Sequence, residues 1–201
     1  MDITKATILA ALKQDVTGAS AETATTIARF IRAGLKWLSE QGKYSCLHVK
    51  DTEVALAITA NTIAKPTGLR VLDCIVLNDG TTDGEPLTQT TFEQIKKDRA
   101  STNNSGEPAE YVGRGANYEL DRDCNQAYTA KVSYWRYDPD QKTILFGPEF
   151  EQALNYAVAA AYLDSKKQHS SAVYFWTLAE QNLPANAEDY EPKTVKYRDL
   201  G

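Results

Sequence analysis

The sequence predicts an α+β fold: mainly a helical bundle of four long helices, with an inserted small β-sheet, a short helix and an extended C-terminal tail. Three patterns predict it. Apolar residues recur at helical spacing near both ends of the chain, they alternate with polar residues in the middle, and the last residues follow no period. With 201 residues, the chain can bury one sizeable core. We expect a single domain over residues 1–184 and a tail over residues 185–201.

The four long helices are predicted from apolar residues that recur three and four positions apart. In the second helix, Ile27, Ile31 and Leu38 fall on one face, Ser20 can cap the start, and Gly42 is a natural stop. Alanine-rich sequence in the third helix allows close approach to a neighbouring helix. The predicted long helices span residues 3–14, 21–40, 148–165 and 170–183.

A β-rich insertion over residues 44–146 is predicted from alternating apolar and polar residues. The alternation is clearest at residues 127–137, where every second side chain from Tyr128 to Tyr134 falls on one side. A short helix over residues 90–97 begins with threonine and ends with lysine, which suits its dipole. The other predicted strands lie at residues 52–59, 69–77, 109–113 and 116–121.

Charge and hydropathy restrict the function. The chain has 27 acidic and 22 basic residues, a net charge of −5. Proteins that grip nucleic acid gain most of their affinity from Lys and Arg on phosphates, so the composition argues against that class. The chain has no run of about 18 apolar residues and no secretory signal at its start. We expect no membrane association and no secretion.

Motifs of catalysis, cofactor binding and metal binding are missing from the sequence. There is no G-x-S-x-G elbow, H-E-x-x-H pair or phosphate-binding loop. His48 and His169 lie in segments of different type, and Asp121-Arg122-Asp123 offers too few oxygen ligands for a hard cation. The three cysteines are widely spaced and indicate neither a disulfide framework nor a zinc site. We predict no catalytic residue, no cofactor and no metal, and so no enzyme.

The aromatic run Tyr134-Trp135-Arg136-Tyr137 has two interpretations. Such a run can stack on the bases of a single-stranded nucleic acid. Alternation along a strand instead places Tyr134 and Trp135 on opposite faces, one in the core and one at an interface. The acidic balance of the chain favours the second interpretation, with Trp135 as an interface residue.

Several motifs follow one another between residues 25 and 183, and their order is more informative than any one of them. They are Ile31-Arg32-Ala33-Gly34-Leu35-Lys36-Trp37-Leu38, Gly84-Glu85-Pro86-Leu87, Gly106-Glu107-Pro108-Ala109-Glu110-Tyr111, the aromatic strand that ends at Tyr137, and the alanine-rich helix from Phe150 to Tyr162. This order resembles that of phage head-to-tail adaptor proteins, including the tail tubular proteins of short-tailed phages.

The resemblance implies a virion structural protein of the tail or neck, assembled in the host cytoplasm. It implies a ring of about twelve identical subunits around a channel through which DNA passes at genome ejection, without sequence-specific binding. The portal protein would lie above the ring and a tail or nozzle protein below it. We expect contacts with the portal or a neighbouring subunit from Trp135 and from the tail residues Tyr190, Lys193, Lys196, Tyr197 and Arg198.

Two alternatives stay open at this point. One is a tail-associated hydrolase of cell-wall polysaccharide, which would need a buried acid and a second carboxylate at the spacing of a glycosidase. The other is a small cytoplasmic accessory binding module with an α+β fold. Sequence alone shows no such carboxylate pair and no partner for such a module.

Overall fold

A computed structural model describes residues 7–8, 10–12, 16, 18–19, 22–100, 104–137 and 144–184. The chain divides into two compact units: a helical unit of residues 1–47 and 137–201, and a β-rich unit of residues 48–136. The predicted domain over residues 1–184 stays a prediction. The predicted tail over residues 185–201 lies outside the described residues.

Four helices of eight residues or more are present in the described residues: α1 (Ala24–Gln41), α2 (Phe92–Arg99), α3 (Glu151–Ser165) and α4 (His169–Gln181). Residues 7–8 and 10–12 are also helical, and two 3₁₀ turns span Ser45–Leu47 and Pro148–Phe150. Thr23 caps α1 by accepting the N–H of Thr26 at 3.2 Å, so the predicted cap Ser20 is wrong. Gly42 follows the last turn, as predicted.

The helical unit depends on a close approach of α1 to α3. A Cβ added at Gly34 of α1 would meet Val158 Cγ2 at 2.8 Å and Leu154 Cδ1 at 3.3 Å. The two helices run antiparallel, since Phe30 packs edge-on against Tyr162 at 5.4 Å and Lys166 Nζ lies 2.6 Å from Glu22 Oε1. The two helices contribute fully buried side chains to the core: Ile27, Ile31, Leu35, Leu38, Leu154, Ala157 and Val158.

An aromatic cluster joins the two chain segments of the helical unit. The Tyr44 ring, just after α1, meets Phe146 at 5.7 Å and Phe150 at 4.9 Å, both edge-on. All three rings are at most 5% exposed. Edge-to-face aromatic pairs add about 1 kcal/mol each to the free energy gained from burial. This cluster therefore fixes the entry into α3 beside the exit from α1.

α4 packs back on α3 as a helical hairpin. Lys167 turns the chain with a positive φ of 60°, and His169 Nδ1 lies 2.7 Å from Asp164 Oδ1 across the turn. Further along, Phe175 contacts Tyr156 with ring centres 6.0 Å apart. Because α3 is antiparallel to both α1 and α4, α1 and α4 run in the same direction.

In the described residues of the β-rich unit, 48–100 and 104–136, ten strands form three sheets of four, four and two strands. The strands are β1 (His48–Leu56), β2 (Thr62–Ala64), β3 (Leu69–Asn78), β4 (Asp83–Pro86), β5 (Thr88–Gln89), β6 (Ser105–Gly106), β7 (Glu110–Arg114), β8 (Asn117–Leu120), β9 (Asp123–Cys124) and β10 (Tyr128–Arg136). One core serves the unit, and it includes Ile63, Ile75, Leu77, Tyr118, Leu120, Ala130 and Val132.

The first sheet has the order β1-β10-β3-β4, with antiparallel pairs throughout. β10 lies in its middle and pairs along its whole length, from Tyr128 to Arg136. β1 at the edge carries a bulge, where Asp51 adopts a positive φ of 51° and donates its N–H to Ser133 Oγ at 3.1 Å. A bulged, charged edge strand resists pairing with a further strand.

The other two sheets, β2-β8-β7-β5 and β6-β9, are held partly by carboxylates. Asp121, only 4% exposed, accepts the N–H groups of Ala109 and Glu110 at 3.0 and 3.1 Å. Asp123 accepts from Arg99 of α2 at 2.8 Å and from Asn61 at 3.1 Å. The Asp121-Arg122-Asp123 segment is therefore a structural turn whose carboxylates are satisfied within the unit.

The predicted fold class is wrong in its proportions. Helix accounts for 40% and strand for 31% of the structure, and the strands form three sheets, so the chain is not mainly a bundle of four long helices with one small sheet. The error arose from very short strands. β2, β4, β5, β6 and β9 have two to four residues each, which is too short for an alternating pattern to be visible.

Replacing Gly34 by valine should destabilise the protein by about 2 kcal/mol, because the new side chain would clash with the backbone and side chains of α3. The matched control is Ala33→Val, one position along the same helix, where the side chain is exposed. We expect this control to cost about 0.5 kcal/mol, from helix propensity alone. Urea denaturation followed by far-ultraviolet circular dichroism measures both. Equal midpoints for the two variants would contradict the close approach.

Replacing Asp121 by alanine should cost about 3 kcal/mol, because it leaves two partly buried backbone N–H groups without an acceptor. Asp121→Asn keeps an oxygen in the same place and should cost about 1 kcal/mol. Amide hydrogen exchange at Ala109 and Glu110 gives a local measure: faster exchange is expected in the alanine variant alone. Unchanged protection in that variant would mean that Asp121 is not the acceptor.

Candidate interaction surfaces

Trp135 is the one predicted interface residue within the described residues. It lies in the middle strand β10, opposite His48 on one side and Val71 on the other. Its ring stacks on the imidazole of His48 with centres 4.5 Å apart, and His48 Nε2 lies 3.1 Å from Asp73 Oδ2. The predicted alternation requires one of the two rings to lie on an exposed face. Trp135 is only 9% exposed and Tyr134 only 6% exposed, so neither ring is open to solvent.

The register of β10 explains this. The pairing with β3 shifts between Ser133 and Tyr134, which interrupts the strict alternation of faces. The role of Trp135 in an interface stays a prediction. The other five predicted residues, Tyr190, Lys193, Lys196, Tyr197 and Arg198, lie outside the described residues.

The fold explains the pKa shifts of the titratable groups. Burial raises the pKa of Tyr118 to about 12, and it also raises the pKa of Tyr111, whose ring meets Tyr118 edge-on at 5.4 Å. Each histidine faces a single aspartate. Within the described ranges, no three His, Cys, Asp or Glu side chains are grouped so as to hold a metal ion.

The β3–β4 turn is held by several hydrogen bonds. Asp79 Oδ1 accepts the N–H groups of Thr81 and Thr82 at 2.8 Å and the Thr81 hydroxyl at 2.7 Å. These donors, the Thr82 N–H first, lower the pKa of Asp79 to about 2. Lys131 Nζ lies 2.7 Å from Asp83, which lowers the pKa of that carboxyl and raises the pKa of the lysine. The turn therefore presents a fixed shape to solvent.

The outer side of α4 is the main exposed apolar surface in the described part of the chain. Val173 is 55% exposed and Tyr174 is 61% exposed, and the third exposed large apolar residue, Ile58, lies in the other unit. In α4 only Ala172 and Ala179 are buried. Phe175, Trp176 and Leu178 are partly buried, so Val173 and Tyr174 form the apolar surface that α4 leaves for another partner.

A groove of about 510 Å³ runs between α1, α3 and α4 within the helical unit. Its floor is aromatic: Phe30 is buried there, and the Trp37 and Trp176 rings lie 5.2 Å apart. Arg29 and Lys36 lie along its rim on α1. The groove thus combines aromatic surface with exposed positive charge.

Neither surface was predicted from the sequence, although the sequence of α4 carries a signal of its exposed face. The apolar stripe that predicted α4 includes Ala172, Trp176 and Ala179, and it leaves Val173 and Tyr174 off the stripe. Large apolar residues on the polar side of a predicted helix indicate a contact outside the fold. The groove required the packing of three helices and had no such local signal.

None of the helices within the described ranges combines the length and apolar character that crossing a bilayer requires. A comparison with curated proteins finds no match. A family model described as SU10 adaptor protein matches residues 3–194, which is nearly the whole chain. This match confirms the resemblance found in the sequence. The chain belongs to the SU10 adaptor protein family and is a phage head-to-tail adaptor protein.

Proposed function

We propose that this adaptor forms a ring of about twelve subunits, which joins the portal to the tail and surrounds the channel for DNA. Membership of the adaptor family supports the coarser part of this function: a structural phage protein of the virion neck, with portal and tail partners. The same membership favours the adaptor over the two alternatives, a cell-wall hydrolase and a cytoplasmic accessory module. The ring, its copy number and the channel are the proposal.

The exposed face of α4 carries the proposal of a ring. Val173 and Tyr174 are more than half exposed on a helix that lies at one side of the helical unit. Burying an aromatic side chain of this kind in an interface contributes a few kcal/mol, enough to act as an anchor. A single patch that fits a different surface of the next subunit makes a heterologous contact, and such contacts close into a ring at a suitable rotation.

The acidic balance of the chain supports a channel through which DNA slides. A net charge of −5 per subunit is repeated around the ring. Negative walls repel phosphates and give no adhesive contact, since adhesion would need basic side chains that release counterions. The DNA would then pass without sequence-specific binding.

The tail contacts of the proposal follow from the resemblance. Tyr190, Lys193, Lys196, Tyr197 and Arg198 combine two aromatic rings with three positive charges in nine residues of sequence. Tyr and Arg are common anchors in protein interfaces. We assign them to the portal or to a neighbouring subunit, and Trp135 to a contact that forms when strand β10 of the β-rich unit meets a partner.

Tyr174→Lys should weaken ring formation without unfolding the subunit, because it places a charge in the proposed contact. Native mass spectrometry of the protein, alone and with the portal ring of the same phage, measures the stoichiometry. The wild type should form a closed ring on the portal. The variant should bind about tenfold more weakly with an unchanged circular dichroism spectrum.

The control is Ile58→Lys, the same change at an equally exposed apolar residue, 60% against 61%, in the β-rich unit. We expect this variant to assemble as the wild type does. A Tyr174→Lys protein that still forms complete rings would show that α4 does not make the contact. A wild-type protein that stays monomeric in the presence of the portal would overturn the ring itself.

A further inference from the structure

The basic residues at the groove between α1, α3 and α4 favour the binding of an acidic ligand. Arg29 and Lys36 line the groove, and Arg32, three residues after Arg29 on α1, lies just outside it and lines a neighbouring depression together with Arg29. All three side chains are exposed and form one stripe along the helix. Lys36 lies 4.0 Å from Glu40. Arg29 and Arg32 have no ion pair with any acidic group of the described residues, and Arg29 lies over the Phe30 ring at 4.9 Å.

The acidic groups that also face the groove are already engaged. Asp164 lies 2.7 Å from His169, and Glu40 is shared between Lys36 and the hydroxyl of Tyr137 at 3.4 Å. The two arginines therefore remain available to an outside carboxylate. The aromatic floor beside them suits a ligand that carries an aromatic ring as well as negative charge.

The chain itself contains a segment of this chemistry. Residues 187–192 read Ala-Glu-Asp-Tyr-Glu-Pro, with three carboxylates around Tyr190. This segment contains no basic residue, whereas the basic residues of the tail, Lys193, Lys196 and Arg198, all follow it. We propose that, in the free subunit, residues 187–192 occupy the groove of their own chain, with Tyr190 against the tryptophan pair.

The position of α4 makes this contact reachable. Trp176 meets Trp37, and α4 ends at Gln181, five residues later, so the chain leaves the helix about 8 Å beyond the tryptophan pair. Tyr190 is nine residues after Gln181, and nine residues span up to about 30 Å when extended. The segment can therefore turn back into the groove, and so short a connection gives an effective concentration of about 1 mM or more.

This contact would leave the basic end of the tail exposed for a partner while it covers the aromatic groove. The inference does not depend on the ring, because it concerns the unassembled subunit. The inference depends on the pairing of an acidic segment with Arg29 and Arg32, whereas the proposed ring depends on the exposed face of α4.

Photo-crosslinking in the full chain tests the contact. A benzoylphenylalanine in place of Tyr190 should react on illumination with peptides that contain Trp37 or Trp176. Mixing ¹⁴N- and ¹⁵N-labelled protein separates crosslinks within one chain from those between chains. We expect crosslinks within one chain, with a yield that falls in about 1 M salt, where the screening length is about 3 Å.

Charge reversal provides the control for fold and net charge. The double variant Arg29→Glu and Arg32→Glu should lower the yield about fivefold. Lys96→Glu with Lys97→Glu, two exposed basic residues of α2, changes the net charge equally and should leave the yield within about twofold. Adding Glu188→Arg and Glu191→Arg to the first double variant should restore the yield.

Three results would overturn the inference. Crosslinks to peptides outside the groove would mean that the segment lies elsewhere. A yield that does not respond to reversal of Arg29 and Arg32 would exclude the charge pairing. Crosslinks between chains would assign the groove to the tail of a second copy.

Discussion

The close approach of α1 and α3 at Gly34 is the constraint on which the helical unit depends. Only a residue without a Cβ fits there, because Val158 Cγ2 would lie 2.8 Å from that atom. The approach aligns a face of small and branched side chains on α3 with α1. The other side of α3 packs on α4, where Tyr156 meets Phe175 with ring centres 6.0 Å apart. On the outer side of α4, Val173 and Tyr174 stay more than half exposed, and the groove runs between α4 and α1.

The helical unit is built from two distant parts of the sequence, and the β-rich unit makes this possible. His48 and Trp135, the first residue of β1 and the penultimate residue of β10, are direct partners in an antiparallel pair. The chain therefore enters and leaves the 89-residue unit at neighbouring points. A closed insertion of this kind removes most of the entropy cost of joining distant segments. The Tyr44–Phe146–Phe150 cluster then fixes the join on the helical side.

Long elements were predictable from the sequence because each repeats its pattern several times. The predicted helix at residues 21–40 corresponds to Ala24–Gln41, and the strand at 127–137 corresponds to Tyr128–Arg136. The balance of the fold was not predictable. The strand pair of Thr88 and Gln89 with Glu110 and Tyr111 is parallel and only two residues long, so its hydrogen bonds come from tertiary contacts alone. The roles of Asp121 and Asp123 as acceptors likewise depend on partners distant in sequence.

Adaptor proteins act through surfaces, and surfaces lack the fixed chemistry that makes an active site recognisable. Their signature is a conflict between local sequence and the fold. In α4 the sequence supplies two large apolar side chains, Val173 and Tyr174, that the fold leaves exposed, and in α1 it supplies Arg29 and Arg32, which have no acidic partner among the described residues. An exposed apolar face lowers the solubility of an isolated subunit. The apolar face of α4 becomes reasonable when the subunit is one part of a larger assembly, where another subunit covers it. The arginines of α1 are matched instead by the acidic segment that we propose to bind them within the same chain.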